Sequence, residues 1–362
     1  MVGSTENIYS PAFSGTFLFY DYFGVMIIRS ILLSLLISSI IPVSAQTIET
    51  LTSGQTVSIR GLCPVNDEVV WVSGSRGTVG KSLDGGKTWQ WIVVKGFEKT
   101  DFRDIEAFNA QTAIIMGIAE PAKILKTTDG GENWKEVFTD STKGMFLDAM
   151  DFYDNKHGIV VGDPIDNKFY LAKTNDGGNT WKKTPGIMQS KAIGGEGCFA
   201  SSGSNIHYFR NKDFLFVSGG TASRLHDDAG GRPMPILQGK ESTGANSIAV
   251  RSDGPRVTNS FIIVGGDFAN DKDTTLNCVF TNDGGHTWQH PTTPPHGYRS
   301  SITYISNKKL LSCGTSGVDL STDSGITWRL ISTTGFHVCR KSKKGKTVFL
   351  AGSNGRIAKL VL

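Results

Sequence analysis

Short apolar runs of β-branched and aromatic residues recur along the chain, each followed by glycine and a second, shorter alternating stretch. They fall at 68–72 (EVVWV), 113–116 (AIIM), 158–161 (GIVV), 214–217 (FLFV), 261–264 (FIIV) and 347–350 (TVFL). Runs of this length bounded by turn residues predict buried strands. No segment after residue 45 sustains a helical period, so an all-β chain is expected.

Between the strand pairs stands a repeated octet: SLDGGKTW (82–89), TTDGGENW (127–134), TNDGGNTW (174–181), TNDGGHTW (281–288) and STDSGITW (321–328). Its aspartates, Asp84, Asp129, Asp176, Asp283 and Asp323, are separated by 45, 47, 107 and 40 residues, so the long gap holds two periods. Within it, 223–233 (SRLHDDAGGRP) keeps Asp228, Gly230 and Gly231 but lacks the Trp, and reads as a worn copy. A repeat of this size built from strands and turns predicts a propeller. The octet has its own logic. Asp folds its carboxylate onto nearby N–H groups, the glycines accept positive φ, and Thr or Asn adds a side-chain hydrogen bond. Trp89, Trp134, Trp181, Trp288 and Trp328 then bury their rings between neighbouring strands. A carboxylate recurring in five equivalent turns is a turn builder first, so the octets are assigned a structural role.

The segment 352–362 (GSNGRIAKLVL) matches 74–83 and stops where another octet would begin. The last unit therefore lacks an outer strand, which residues 47–51 are placed to supply. The expected architecture is a seven-bladed β-propeller whose last blade is closed by the N-terminal strand, one domain over 46–362, at about 45 residues per blade. Ahead of it, 26–29 is a short basic start, 31–43 is almost wholly apolar and Val43-Ser44-Ala45 suits signal cleavage. Residues 26–45 are thus expected to be a signal peptide of an exported protein, periplasmic or secreted, with no membrane span after cleavage. Residues 1–25 are either a mis-assigned start or an extension.

The formal charge of +4 becomes +5 beyond residue 45 and is dispersed along the chain, which argues against nucleic acid. A monomer is expected. Cys63, Cys198, Cys278, Cys313 and Cys339 show no metal spacing and fall on predicted strands, so they read as small core residues. No CxxC, HExxH, complete EF-hand loop or dinucleotide fingerprint is present, and neither metal nor cofactor is expected.

The octet turns join third to fourth strands, so the variable loops 117–123, 162–169 and 265–277 belong to the opposite face, where binding chemistry is expected. Aligning the entries to the innermost strands puts Arg60, Arg103, Leu147, Glu196, Asn246, Arg299 and His337 in one column around the channel mouth. Guanidinium forks suit carboxylate or phosphate, so one reading is a site for an anionic ligand or an acidic partner segment. The other is that the arginines pair internally with Asp104, Asp148, Glu196, Glu120 or Asp163 and seal the channel. Glu120, Asp163 and Glu196 are also the candidate catalytic carboxylates of a glycoside hydrolase.

The octets resemble the Asp box of the bacterial neuraminidase repeat. Their pattern G-x-x-G-x-[IV]-x-[KR]-[ST]-x-D-G-G-x-T-W over 47–362 is similar to that of seven-bladed propellers of the photosystem II stability and assembly factor group and its non-photosynthetic bacterial relatives. That resemblance implies a binding or assembly scaffold with a protein partner or an anionic or glycan ligand. A sialidase would carry an early [FY]RIP motif and six blades; here the stretch is SIRGLCP (58–64), with Arg60 retained. Arg60, Arg103 and Arg299 could mimic a sialidase arginine triad, with Tyr298 beside Arg299 on the same strand and expected to point the other way.

Overall fold

The Asp boxes fold as their chemistry dictates. Ser82 Oγ donates to Asp84 Oδ1 at 2.9 Å and accepts from Gly86 N at 2.8 Å, while Asp84 accepts from Thr88 N at 2.9 Å and from Thr88 Oγ1 at 2.6 Å. The same four bonds recur around Asp129, Asp176, Asp283 and Asp323. The hydroxyl and N–H of Thr88 hold the Asp84 carboxyl down to about 2. The second glycine of each box must be glycine for two reasons: Gly178 has φ 77°, and a Cβ there would lie 2.3 Å from Ile114 Cδ1 of the preceding blade.

These turns sit in a computed structural model that describes residues 1, 3, 4, 6–10, 46–185, 190–210, 213–253 and 256–361. The chain divides into two units, Met1–Ala45 and Gln46–Leu362. The described residues of the first carry no regular secondary structure, and the signal peptide expected at 26–45 lies outside the described residues.

The second unit is seven antiparallel sheets. Six run in chain order as 59–93, 102–140, 147–183, 206–233, 243–281 and 301–332. The seventh has the order Thr47–Thr52, Ile357–Val361, Val348–Ala351, Val338–Lys341, so both chain ends share it. Thr47 pairs with Val361 and Glu49 with Lys359, whose side chains form an ion pair at 3.3 Å. The outer strand of the fifth blade is reduced to a bridge between Phe280 and Gln289. The worn copy still makes the turn from third to fourth strand in the fourth blade, through Asp227 Oδ1 accepting from Ala229 N at 2.9 Å. Among the described residues there is no α-helix and no helix long and apolar enough to cross a membrane.

The core is distributed. Seven apolar clusters each join two neighbouring blades, from the first and second round to the seventh and first. Every box Trp packs into the seam with the preceding blade, a wedge between blades rather than between strands of one blade. Trp134 meets Trp71 edge-on at 6.5 Å across such a seam. All five cysteines are buried and unbridged, as small core residues should be.

The fourth blade departs from expectation. Its innermost strand is Ile206–Tyr208, not the stretch around 194–198, because Glu196–Gly197 pairs with Gly219–Gly220 in the sheet of the fifth blade. The seven residues 199–205 (FASSGSN) that intervene cross the channel. Ser202 Oγ donates to Ser300 O at 2.6 Å, Ser204 Oγ meets Ser247 Oγ at 2.7 Å, and Arg340 Nη2 donates to Gly203 O at 2.6 Å. Serines bonded to the fifth, sixth and seventh blades make this segment a plug, with Ser202 and Asn205 almost wholly buried.

Candidate functional site

Box turns lie against the first-to-second strand turns of their own blades, as when Gly85 N donates to Glu68 O at 2.9 Å and Gly130 N to Gln111 O at 2.9 Å. The strand-entry loops form the other end of the ring, and there the plug meets a polar cluster. Arg60 Nη1 donates to Ser201 O at 3.3 Å. Ser201 Oγ and Tyr298 Oη both donate to Asn246 Oδ1, each at 2.8 Å. Arg103 Nε holds Asp101 at 2.8 Å. Burial and the nearby Arg103 lower the Arg60 guanidinium below its ordinary value. Burial, reinforced by Arg60, Arg103 and Arg356, pushes His337 down to about 3, so this imidazole is neutral and hydrogen-bonds Ser353 Oγ at 2.9 Å.

Arg60, Arg103, Asn246 and His337 therefore come together, while Arg299 and Glu196 do not join them and Leu147 is packed in the seam between second and third blades. Arg299 is wholly buried within the sixth blade. Its Nε donates to Asp319 Oδ2 at 2.7 Å and its Nη1 to Tyr298 O at 2.8 Å and Ser316 Oγ at 2.9 Å. Tyr298 and Arg299 do point opposite ways, but the tyrosine takes the channel side. Burial there pushes its hydroxyl up to about 12. Arg356 of the seventh blade adds a guanidinium near His337 that the sequence column did not contain, donating to Gly335 O at 3.0 Å and lying over the Phe336 ring. Its signal was present in the match of 352–362 to 74–83, where it replaces Thr78.

The carboxylates are differently disposed. Glu196 is buried and receives Arg224 Nε at 2.9 Å, Ile193 N at 2.8 Å, His226 Nε2 at 3.1 Å and the Ser218 hydroxyl. These donors outweigh its burial and hold it down to about 2. Asp163 accepts from Cys198 N at 2.9 Å and is raised by burial; with Glu196 it lines a hollow of about 500 Å³. Burial and Asp163 push the fully buried Asp148 well above the usual carboxylate range. Glu120 is exposed and accepts from Gly144 N.

A second concavity, which the sequence did not single out, opens on the Asp-box face. It measures about 740 Å³ and is lined by the far ends of the innermost strands of the third to seventh blades.

Residues 55–143 match the family model described as Photosynthesis system II assembly factor YCF48. The photosystem II assembly lipoprotein Ycf48 of Synechococcus sp. (strain CC9902) is 29% identical over 110 residues, which is 30% of this chain and 31% of that protein. The chain is an Asp-box propeller resembling photosystem II assembly factors. The match spans about a third of that relative's length. Over most of its length this Asp-box propeller superimposes on solved structures. YCF48 bound to D1 peptide gives a TM-score of 0.63 at 17% identity, covering 87% of this chain and 95% of that one. YCF48 from Cyanidioschyzon merolae gives 0.61 at 17% identity, covering 86% and 98%. The WD40 propeller domain of Doa1 gives 0.57 at 15% identity, covering 88% and 97%, so the likeness at this level is one of fold.

Proposed function

We propose that this chain is an exported binding and assembly scaffold that holds an acidic segment of a protein partner at the channel mouth, through Arg60 and Arg103, with Arg356 beside them. The observation that carries this reading is that Arg60 and Arg103 lie close enough for Arg103 to lower Arg60, with Asp101 bonded to Arg103 alone and His337 beside them neutral. An incoming carboxylate relieves that repulsion and accepts guanidinium forks. The relative solved with a D1 peptide supports a peptide as occupant, and the name lipoprotein for the curated relative supports export, as does the leader at 26–45.

Binding without turnover is favoured over glycoside hydrolysis because Glu196 is engaged by four donors and held ionised. Held ionised it cannot serve as the general acid, and engaged by four donors of its own chain it is not free to serve as nucleophile or base. The test is fluorescence-polarisation titration with acidic peptides ending in a free carboxylate, against the same peptides amidated. Saturable binding weakened tenfold or more by Arg60→Ala with Arg103→Ala is expected. Equal binding of that variant, or hydrolysis of polymeric glycans lost on Asp163→Asn, would overturn the reading.

A further inference from the structure

The concavity on the Asp-box face differs from the mouth in charge and shape. Its wall carries Arg210 from the fourth blade, Arg251 from the fifth, and Arg340, Lys341 and Lys343 from the seventh. Facing these five cations are Asp151, which also lines the wall, and Glu106, which holds Lys343 in an ion pair. Asp104, near Arg340, is pushed up to about 7 by burial and carries only part of a charge at neutral pH. Five cations against Asp151 and Glu106 leave the basin a local surplus of three before the partial charge of Asp104. His207 adds none, since burial lowers its imidazole.

The cations converge from three blades around the channel axis rather than running along a line. Arg340 Nη2 donates to Gly203 O at 2.6 Å, which ties the basin to the plug and gives it a floor. A floored cup of about 740 Å³ suits a compact ligand, whereas an extended chain would meet cations on one side at a time. We infer that this basin is a second binding site, independent of the mouth, that takes a compact multivalent anion bearing clustered phosphate or carboxylate oxygens.

The full chain is titrated calorimetrically at low ionic strength with tripolyphosphate and with citrate, and with inorganic phosphate for comparison. One-site saturable binding of at least one multivalent anion is expected, tighter than phosphate and weakening as salt is added. Tripolyphosphate alone would assign a phosphorylated ligand, and both together any clustered oxyanion. Arg210→Ala with Lys343→Ala, both at exposed positions, should lower affinity at least tenfold, and because Lys343 pairs with the buried Glu106 the melting temperature is followed alongside. Arg210→Glu alone serves if that pair melts early. Arg60→Ala with Arg103→Ala should leave this binding untouched even if the mouth reading fails. Heat that never saturates, affinity unchanged in the basin variants, or affinity lost in the mouth variant would each overturn the site.

Discussion

Replacing Arg299 with alanine should unfold the protein early rather than weaken capture of a ligand. Arg299 and Asp319 are both fully buried, and the guanidinium satisfies Asp319 Oδ2 at 2.7 Å, Tyr298 O at 2.8 Å and Ser316 Oγ at 2.9 Å. Truncation leaves the Asp319 carboxylate with His296, at 2.6 Å, as its remaining basic partner. Breaking one side of a buried ion pair costs about 3–5 kcal/mol. That is a large share of the roughly 5–15 kcal/mol that holds a folded domain together. For a ring of this size the melting midpoint should fall on the order of 10 °C. Thermal unfolding followed by tryptophan fluorescence reads the change directly, since Trp328 is buried in the same blade. The double variant Arg299→Met with Asp319→Leu should recover most of the loss, because apolar residues of similar volume carry no desolvation cost. An Arg299→Ala protein with the wild-type midpoint and lost peptide capture would refute this reasoning and return Arg299 to the mouth.

Two further outcomes are expected. Gly203 sits at φ 62°, and a Cβ there would lie 2.3 Å from the Asp104 carboxyl carbon, so Gly203→Ala should loosen the plug, raising amide exchange at 199–205 at a cost of about 1–3 kcal/mol. Asp104 is raised to about 7 in the folded chain, so between pH 4 and pH 7 the native state keeps a proton that the unfolded state releases. Stability should therefore fall as pH rises through that window, by up to about 1.4 kcal/mol per unit from this group, and urea titrations of Asp104→Asn should lack that component.

What could be read from the chain was what is decided locally. The five boxes are turn chemistry contained in eight residues, and their spacing with the worn copy carried the blade count, while the match of 352–362 to 74–83 carried the closure by residues 47–51. The alternation of Tyr298 and Arg299 was also readable, but not which of them faces the channel. That depends on Asp319, a buried acceptor 20 residues further on in the third strand of the same blade. The plug escaped because 199–205 has no period and looks like a polar loop; its partners Ser247, Ser300 and Arg340 lie on three other blades. The innermost strand of the fourth blade was misplaced for the same reason, and Glu196 went with it.

The shared seventh sheet sets an order of events. Thr47–Thr52 is made ahead of the six blades that separate it from its partner Ile357–Val361, so it waits through their synthesis before it can pair. Bringing ends this far apart together costs roughly 5 kcal/mol of chain entropy, met at one moment by a six-residue strand, a five-residue strand and the seam where Val57, Ile59 and Phe349 pack. The two ends act as a clasp. Trimming either short strand leaves every other blade its own hydrogen bonds, yet unlatches the ends of the ring and bares the edge of the partner strand to neighbouring molecules.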